Sequence, residues 1–144
     1  MSLFSALSVG ASGMAAERTR AELLVENMAN AETTRTPEGG PYRRKDVVFE
    51  SSAVESPFAS VFNAQLNAPQ GVAISAVVTD TSEPERRYLP GHPDADQDGY
   101  VAFPKMNPAE EMVNLLDSAR TYEANVSAMG AVKDMIQRSM DLFH

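Results

Sequence analysis

Three carboxylates at alternate positions are the most suggestive chemical feature of the sequence. Asp94, Asp96 and Asp98 precede Gly99, an arrangement typical of the first ligands of a calcium-binding loop. Such a loop needs a bidentate Glu at its twelfth position, but here that position is Lys105. We therefore expect an Asp/Gly turn that leads into a strand, with a metal site at the three carboxylates as the alternative.

Other patterns that could support catalysis are weak. His92 and His144 lie in no recognisable nucleophile or metal-ligand spacing, and Gly39-Gly40-Pro41 reads as a turn rather than as a phosphate-binding loop. The chain has no cysteine, so it can form neither a disulfide nor a thiolate zinc site. We expect a protein that is not an enzyme and has no cofactor.

Charge and hydropathy narrow the possible partners. Twelve basic and twenty acidic residues give a net charge of −8, which repels phosphate backbones and anionic lipid headgroups. No segment has the roughly 18 to 20 consecutive apolar residues of a membrane span. The first residues lack the basic region of a secretory signal peptide. We expect no nucleic-acid partner, no membrane span, and a different route if the chain is exported.

The N-terminal segment, residues 1–31, has the periodicity of a helix. Its apolar residues recur at spacings of three and four, at Phe4, Leu7, Ala11, Met14, Ala21, Val25 and Met28. Gly10 and Gly13 each cost about 1 kcal/mol relative to Ala, so this helix needs a packing partner. The same small residues allow another backbone to approach closely.

A second helix is predicted over residues 108–144. Asn107 suits the N-cap and Pro108 the first helical position. Two heptad series follow, one of Met112, Ala119, Val126, Lys133 and Met140, the other of Leu115, Tyr122, Met129, Ile136 and Phe143. Such a helix extends about 50 Å at 1.5 Å per residue, so its apolar stripe needs a long partner.

The middle segment, residues 32–107, predicts loops and a small antiparallel sheet. Residues 71–79 alternate so that Val72, Ile74, Ala76 and Val78 would share one face of a strand. Weaker strand candidates are residues 47–49, 87–89 and 100–103, while residues 51–70 read as variable, with two possible helical turns at Phe58, Phe62 and Leu66. The predicted fold is mainly α with a small β region, and its long terminal helices form a coiled-coil-like layer.

Segments near both ends of the chain resemble the two signatures of the flagellar rod and hook protein family. The N-terminal match consists of Ser12-Gly13-Met14-Ala15-Ala16 and Val25-Glu26-Asn27-Met28-Ala29-Asn30-Ala31-Glu32-Thr33. The C-terminal match consists of Glu110-Glu111-Met112-Val113-Asn114-Leu115-Leu116, Ala119-Arg120-Thr121-Tyr122-Glu123-Ala124-Asn125 and Lys133-Asp134-Met135. The short chain and segments 39–49 and 91–101 are similar to the members that form the proximal rod. One departure is Glu26, where many relatives carry a second Asn.

The resemblance implies a structural subunit of the flagellar basal-body rod, the drive shaft that transmits torque. Its implied partners are copies of itself, other rod proteins and the flagellar type III export apparatus, with a final place in the rod where it crosses the periplasm. The residues expected to pack between subunits are Leu7, Met14, Val25, Asn27, Met28, Asn30, Met112, Leu115, Leu116, Tyr122, Val126, Met129, Ile136 and Met140. The alternatives are a stand-alone helical adaptor or export chaperone, and a calcium-binding or hydrolytic protein.

Overall fold

The chain has a long helix near each end, and these two helices pack against each other. In the computed structural model, which describes residues 3–53 and 70–141, helix α1 spans Leu3–Ala29 and helix α2 spans Pro108–Asp141. Both predicted long helices are confirmed; α1 ends two residues before the predicted Ala31, and α2 begins at the predicted Pro108. The helical turns proposed around Phe58, Phe62 and Leu66 lie outside the described residues.

Local hydrogen bonds explain where the helices begin and end. Asn107 caps α2, because its Oδ1 accepts a bond of 3.0 Å from the backbone N–H of Ala109. At the end of α1, the Asn30 side chain donates to the carbonyl of Glu26 at 2.9 Å and satisfies one of the last helical acceptors. Asn27, in the last turn of α1, instead bonds to groups far along the chain.

The two helices run antiparallel and approach closely where α1 carries glycine. A methyl group added at Gly10 would lie 3.0 Å from Cγ of Met129, and one added at Gly13 would lie 3.3 Å from Nδ2 of Asn125. Nearer the other end of the pair, the Ser118 hydroxyl lies 3.0 Å from the carbonyl oxygen of Glu17. The small residues of α1 therefore bring α2 close, as their size predicts.

Strands β1 (Lys45–Ala53) and β2 (Gln70–Thr79) form an antiparallel pair that packs on α1. Val48 pairs with Ala76 and Phe49 with Ile74, so the residue between them on β2, Ser75, forms a bulge. Because a bulge moves the following side chains to the opposite face, Val72 and Ile74 do not share a face with Ala76 and Val78. The predicted single apolar face is wrong for this reason.

Strands β3 (Glu85–Tyr88) and β4 (Tyr100–Phe103) form a second antiparallel pair. The prediction of one small sheet is therefore corrected to two separate two-stranded sheets. Val101 and Phe103 are buried on the inner face of β4, and the Arg87 guanidinium lies 4.8 Å from the centre of the Phe103 ring. Leu89, predicted as strand, lies just beyond the end of β3.

The chain buries little apolar surface within its described part. The buried hydrophobic side chains are Ala16, Leu24, Tyr42, Val101 and Phe103. Large apolar residues on both β1 and β2 and along α2 stay exposed. Neither described helix is apolar enough over a sufficient length to cross a membrane. A core of this size supplies little stability to the free chain, so packing against partners has much to add.

Candidate assembly surface

A buried asparagine joins the end of α1 to the start of β1. The side chain of Asn27 is 0% exposed, and its Oδ1 accepts 3.0 Å bonds from the hydroxyl of Tyr42 and from the backbone N–H of Lys45. Its Nδ2 donates to the carbonyl of Lys45 at 2.8 Å. Burial, helped by the charge of Glu26, raises the pKa of Tyr42 to about 12. The tyrosine therefore stays a hydrogen-bond donor at neutral pH.

The same asparagine reaches the first turn of α2 through Glu111. This carboxylate is 3% exposed and accepts from Asn27 Nδ2 at 3.0 Å and from Arg44 Nε at 2.6 Å. Arg44 also bonds Asp46 at 2.9 Å. Burial lowers the pKa of Arg44, but its bonds to Glu111 and Asp46 raise it by more, so its charge is secure. We call Asn27, Tyr42, Arg44, Lys45 and Glu111 the polar cluster.

The polar cluster holds three segments of the chain together. It ties the end of α1, the segment before β1 and the start of α2 at a single point. Throughout the described residues, every buried side-chain nitrogen and oxygen has a hydrogen-bond partner. Because its groups are hydrogen-bonded to one another, the polar cluster has a defined geometry. Removing one group leaves its partners unpaired and lowers the stability of the fold.

The face of α2 that meets α1 is half polar. It follows a heptad rhythm through Glu111, Leu115, Ser118, Tyr122, Asn125, Met129, Val132 and Ile136, most of which are buried or half-buried. The predicted series of Leu115, Tyr122 and Met129 supplies one half of this seam. The other half consists of Glu111, Ser118, Asn125 and Val132, which a search for apolar residues overlooks because three of the four are polar.

The other predicted heptad series stays uncovered. Its apolar members Met112, Ala119, Val126 and Met140, with the neighbouring Leu116, form what we call the exposed stripe, which lies beside the seam on α2, and Lys133 interrupts the series. Val126 is 48% exposed and Met140 is 59% exposed. The four members of the series are separated by seven or fourteen residues, the repeat by which helices pack in coiled coils. The chain therefore presents an apolar surface suited to another helix.

The residues expected between subunits fall into three groups in the single chain. Asn27 is buried in the polar cluster. Leu7, Met14, Met28, Asn30, Leu115, Met129 and Ile136 are half-buried, and Val25, Met112, Leu116, Tyr122, Val126 and Met140 are exposed. The exposed group is available to a neighbour without any rearrangement of this chain.

The alternating carboxylates form a turn. Asp96 Oδ1 accepts from the backbone N–H groups of Asp98 at 3.0 Å and Tyr100 at 2.8 Å. Asp94 accepts from the Thr34 hydroxyl at 2.8 Å. These bonds confirm the predicted Asp/Gly turn that leads into β4. Within the described residues, 3–53 and 70–141, no three acidic, His or Cys side chains lie close enough together to hold a metal ion.

Comparison with known proteins identifies the class to which this architecture belongs. Residues 97–142, which contain β4 and α2, match the family model described as flagellar basal body rod FlgEFG protein C-terminal. The chain is 41% identical to the flagellar basal-body rod protein FlgC of Bacillus subtilis, with 99% of each covered. It is 35% identical to FlgC of Borreliella burgdorferi, with 97% of each covered. For FlgC of Salmonella typhimurium the identity is 32%, covering 99% of this chain and 98% of the relative.

These likenesses extend over nearly the full length of the chain and of each relative. The chain belongs to the FlgC family of flagellar basal-body rod proteins. The resemblance seen in the sequence is confirmed, and with it the function of a structural rod subunit. None of these comparisons favours the alternative of a helical adaptor or an export chaperone.

Proposed function

We propose that the chain assembles into the rod by packing the exposed stripe of α2 against the terminal helices of neighbouring copies and of other rod proteins. The supporting observation is an apolar heptad series, including Met112 and Val126, that the chain's own α1 leaves uncovered. The half-polar seam fixes the orientation of α2 within the chain. The exposed stripe binds the helices of neighbouring subunits.

The energy available from the exposed stripe is sufficient for such a role. Fully burying a Met, Leu or Val side chain contributes about 1.5 to 3 kcal/mol, so covering the exposed half of each adds roughly 1 kcal/mol. A single subunit gains only a few kcal/mol from one stripe. Repetition of the contact at every subunit then holds the whole assembly together.

The route and the setting form part of the proposal. The chain reaches the rod through the flagellar type III export apparatus, and it works where the rod crosses the periplasm. It transmits torque and catalyses no reaction. Family membership supports this placement, and the fully bonded polar cluster fits a structural role.

The test introduces a charge into the exposed stripe. In Val126→Asp, a carboxylate would have to lose its water in the contact between subunits without a partner, at a cost of several kcal/mol for each copy. We expect cells with this variant to secrete the chain but to build no rod beyond the base. Secretion is measured in the medium, and rods are counted in isolated basal bodies.

A matched control places the same charge two residues further along. Ala128 is exposed and lies about 160° around the helix from Val126, so Ala128→Asp should assemble normally. Complete rotating flagella in Val126→Asp cells would refute the role of the stripe. A helical adaptor or export chaperone would instead be absent from basal bodies formed by wild-type cells.

A further inference from the structure

The β3–β4 pair presents an outer face that the chain itself does not use. Residues opposite each other in an antiparallel pair share a face, and here Arg86 pairs with Ala102 and Tyr88 with Tyr100. The inner face carries the buried Val101. Arg86, Tyr88 and Tyr100 therefore point together away from the interior, and all three are exposed.

This outer face has the composition of a binding surface. Tyr88 is 64% exposed, and its ring meets that of Tyr100 edge to face with centres 5.4 Å apart. Arg86 makes no ion pair within the described part of the chain. Tyrosine and arginine dominate the energetic centres of protein interfaces, because both bury a large area and keep a polar end that can bond.

The backbone holds these rings in place. Gly99 has a φ of 81°, and a methyl group added there would lie 2.9 Å from the Tyr88 ring and 3.2 Å from Pro90. The ring of Tyr88 thus rests directly on the turn. A surface that is already ordered loses little entropy when it binds, which favours its use as an interface.

A surface of opposite charge lies on the first turns of α2. Glu110, Val113 and Asp117 recur at spacings of three and four residues and so share one face of the helix. Val113 is 65% exposed, and within residues 3–53 and 70–141 neither of the two carboxylates has an ion-pair partner. Arg120 on the next turn limits this acidic region to the start of the helix.

We propose that the outer face of β3–β4, formed by Arg86, Tyr88 and Tyr100, docks on Glu110, Val113 and Asp117 of a second copy of this chain. Arg86 meets the carboxylates, and the tyrosine rings cover Val113. The two surfaces are different, so the contact is head-to-tail and builds a ring or a helical array of copies rather than a closed dimer. The inference rests on the proposed assembly into the rod and adds a second contact, separate from the exposed stripe.

Cysteine cross-linking tests the contact in the assembled rod. The chain has no cysteine, so every cross-link reports an introduced residue. Ala102 lies on the outer face beside Arg86, and Ala109 lies one helical turn before Val113. In basal bodies of cells that express the full chain with both Ala102→Cys and Ala109→Cys, a short bismaleimide should give dimers and higher multimers. Each single variant should stay monomeric.

The outcomes separate this contact from the assembly function. Basal bodies that contain the doubly substituted chain only as monomers would overturn the proposed contact and leave the role of the exposed stripe intact. Basal bodies that contain no wild-type chain would overturn the assembly function itself. If the doubly substituted chain does not enter basal bodies, the charge exchange described next decides the matter.

Charge exchange provides the second measurement. Arg86→Asp alone and Asp117→Arg alone each bring like charges together, and each should lower incorporation into basal bodies at least roughly tenfold. The two changes together restore opposite charges and should recover most of the loss. Glu83→Arg, in the exposed loop before β3, is the control and should incorporate normally. Single variants that incorporate normally, or a double variant no better than the singles, would refute the contact.

Discussion

Replacing Asn27 by Leu tests how much of the fold depends on the polar cluster. Leu has the same branched shape as Asn but larger methyl groups, so the change removes hydrogen bonds without opening a cavity. It takes one hydrogen-bond partner from each of four groups, which are the Tyr42 hydroxyl, the Glu111 carboxylate and both backbone groups of Lys45. The loss therefore combines the missing hydrogen bonds with some overpacking.

The size of the loss follows from burial. Tyr42 and Glu111 are 8% and 3% exposed, so water cannot readily replace Asn27. The unpaired Tyr42 hydroxyl costs roughly 1 to 3 kcal/mol, and Glu111 costs less because it keeps its bond to Arg44. Lys45 reaches solvent more easily and adds less. We expect Asn27→Leu to lower the free energy of unfolding by about 3 to 5 kcal/mol. That is a large part of the roughly 5 to 15 kcal/mol that stabilises a typical domain.

Urea unfolding of the purified chain, followed by far-ultraviolet circular dichroism, measures this change. The matched control is Asn30→Leu, which loses one bond to the Glu26 carbonyl and one from Thr33 at partly exposed positions. That variant should lose about 1 kcal/mol. In cells, Asn27→Leu should also enter rods poorly. Equal unfolding midpoints for the two variants would refute the idea that the polar cluster fastens the fold.

Two further predictions concern the loop before β1 and the turn before β4. The pKa of Tyr42 is raised to about 12, above the value near 10 of an exposed tyrosine, so the native chain retains a proton that the unfolded chain releases. Its contribution to stability is full below about pH 10 and is lost as the pH rises towards 12, and Tyr42→Phe should flatten this part of a pH series of urea unfolding curves. Gly99→Ala adds ring overlap to an unfavourable φ and should cost about 2 to 3 kcal/mol, whereas Gly39→Ala, with a φ of 91° and nothing within 4 Å, should cost about 1 kcal/mol. Thermal unfolding compares the two glycine variants, and equal losses would show that the contact with Tyr88 does not matter.

Strong local signals made the helices predictable from the sequence. Asn107 and Pro108 define the start of α2, and they do so through groups that are adjacent in the chain. The heptad series were also visible, because Leu, Met and Val repeat at fixed spacing. The Asp94 to Asp98 segment was interpreted as a turn for a similar reason, since an incomplete ligand set and a glycine are both local features.

The features that were missed depend on pairings between distant parts of the chain. The hydrogen bond between Asn27 and Glu111 joins residues 84 positions apart, and neither residue type predicts the other as its partner. The seam along α1 uses Ser118 and Asn125, which periodicity assigns to a solvent-facing side. The bulge at Ser75 depends on the register with β1, and a strand considered alone shows only its alternation.

Because of that bulge, Val72 and Ile74 share a face with Val77, so both sides of the β1–β2 ribbon carry apolar residues. Val77 pairs with Val47 on one face and Val78 pairs with Asp46 on the other, and both valines are 50% exposed. A helix laid along a ribbon can shield only one side of it. The second side is exposed to water in a single molecule. Burying it against a neighbouring subunit would therefore add hydrophobic stabilisation that the free chain lacks.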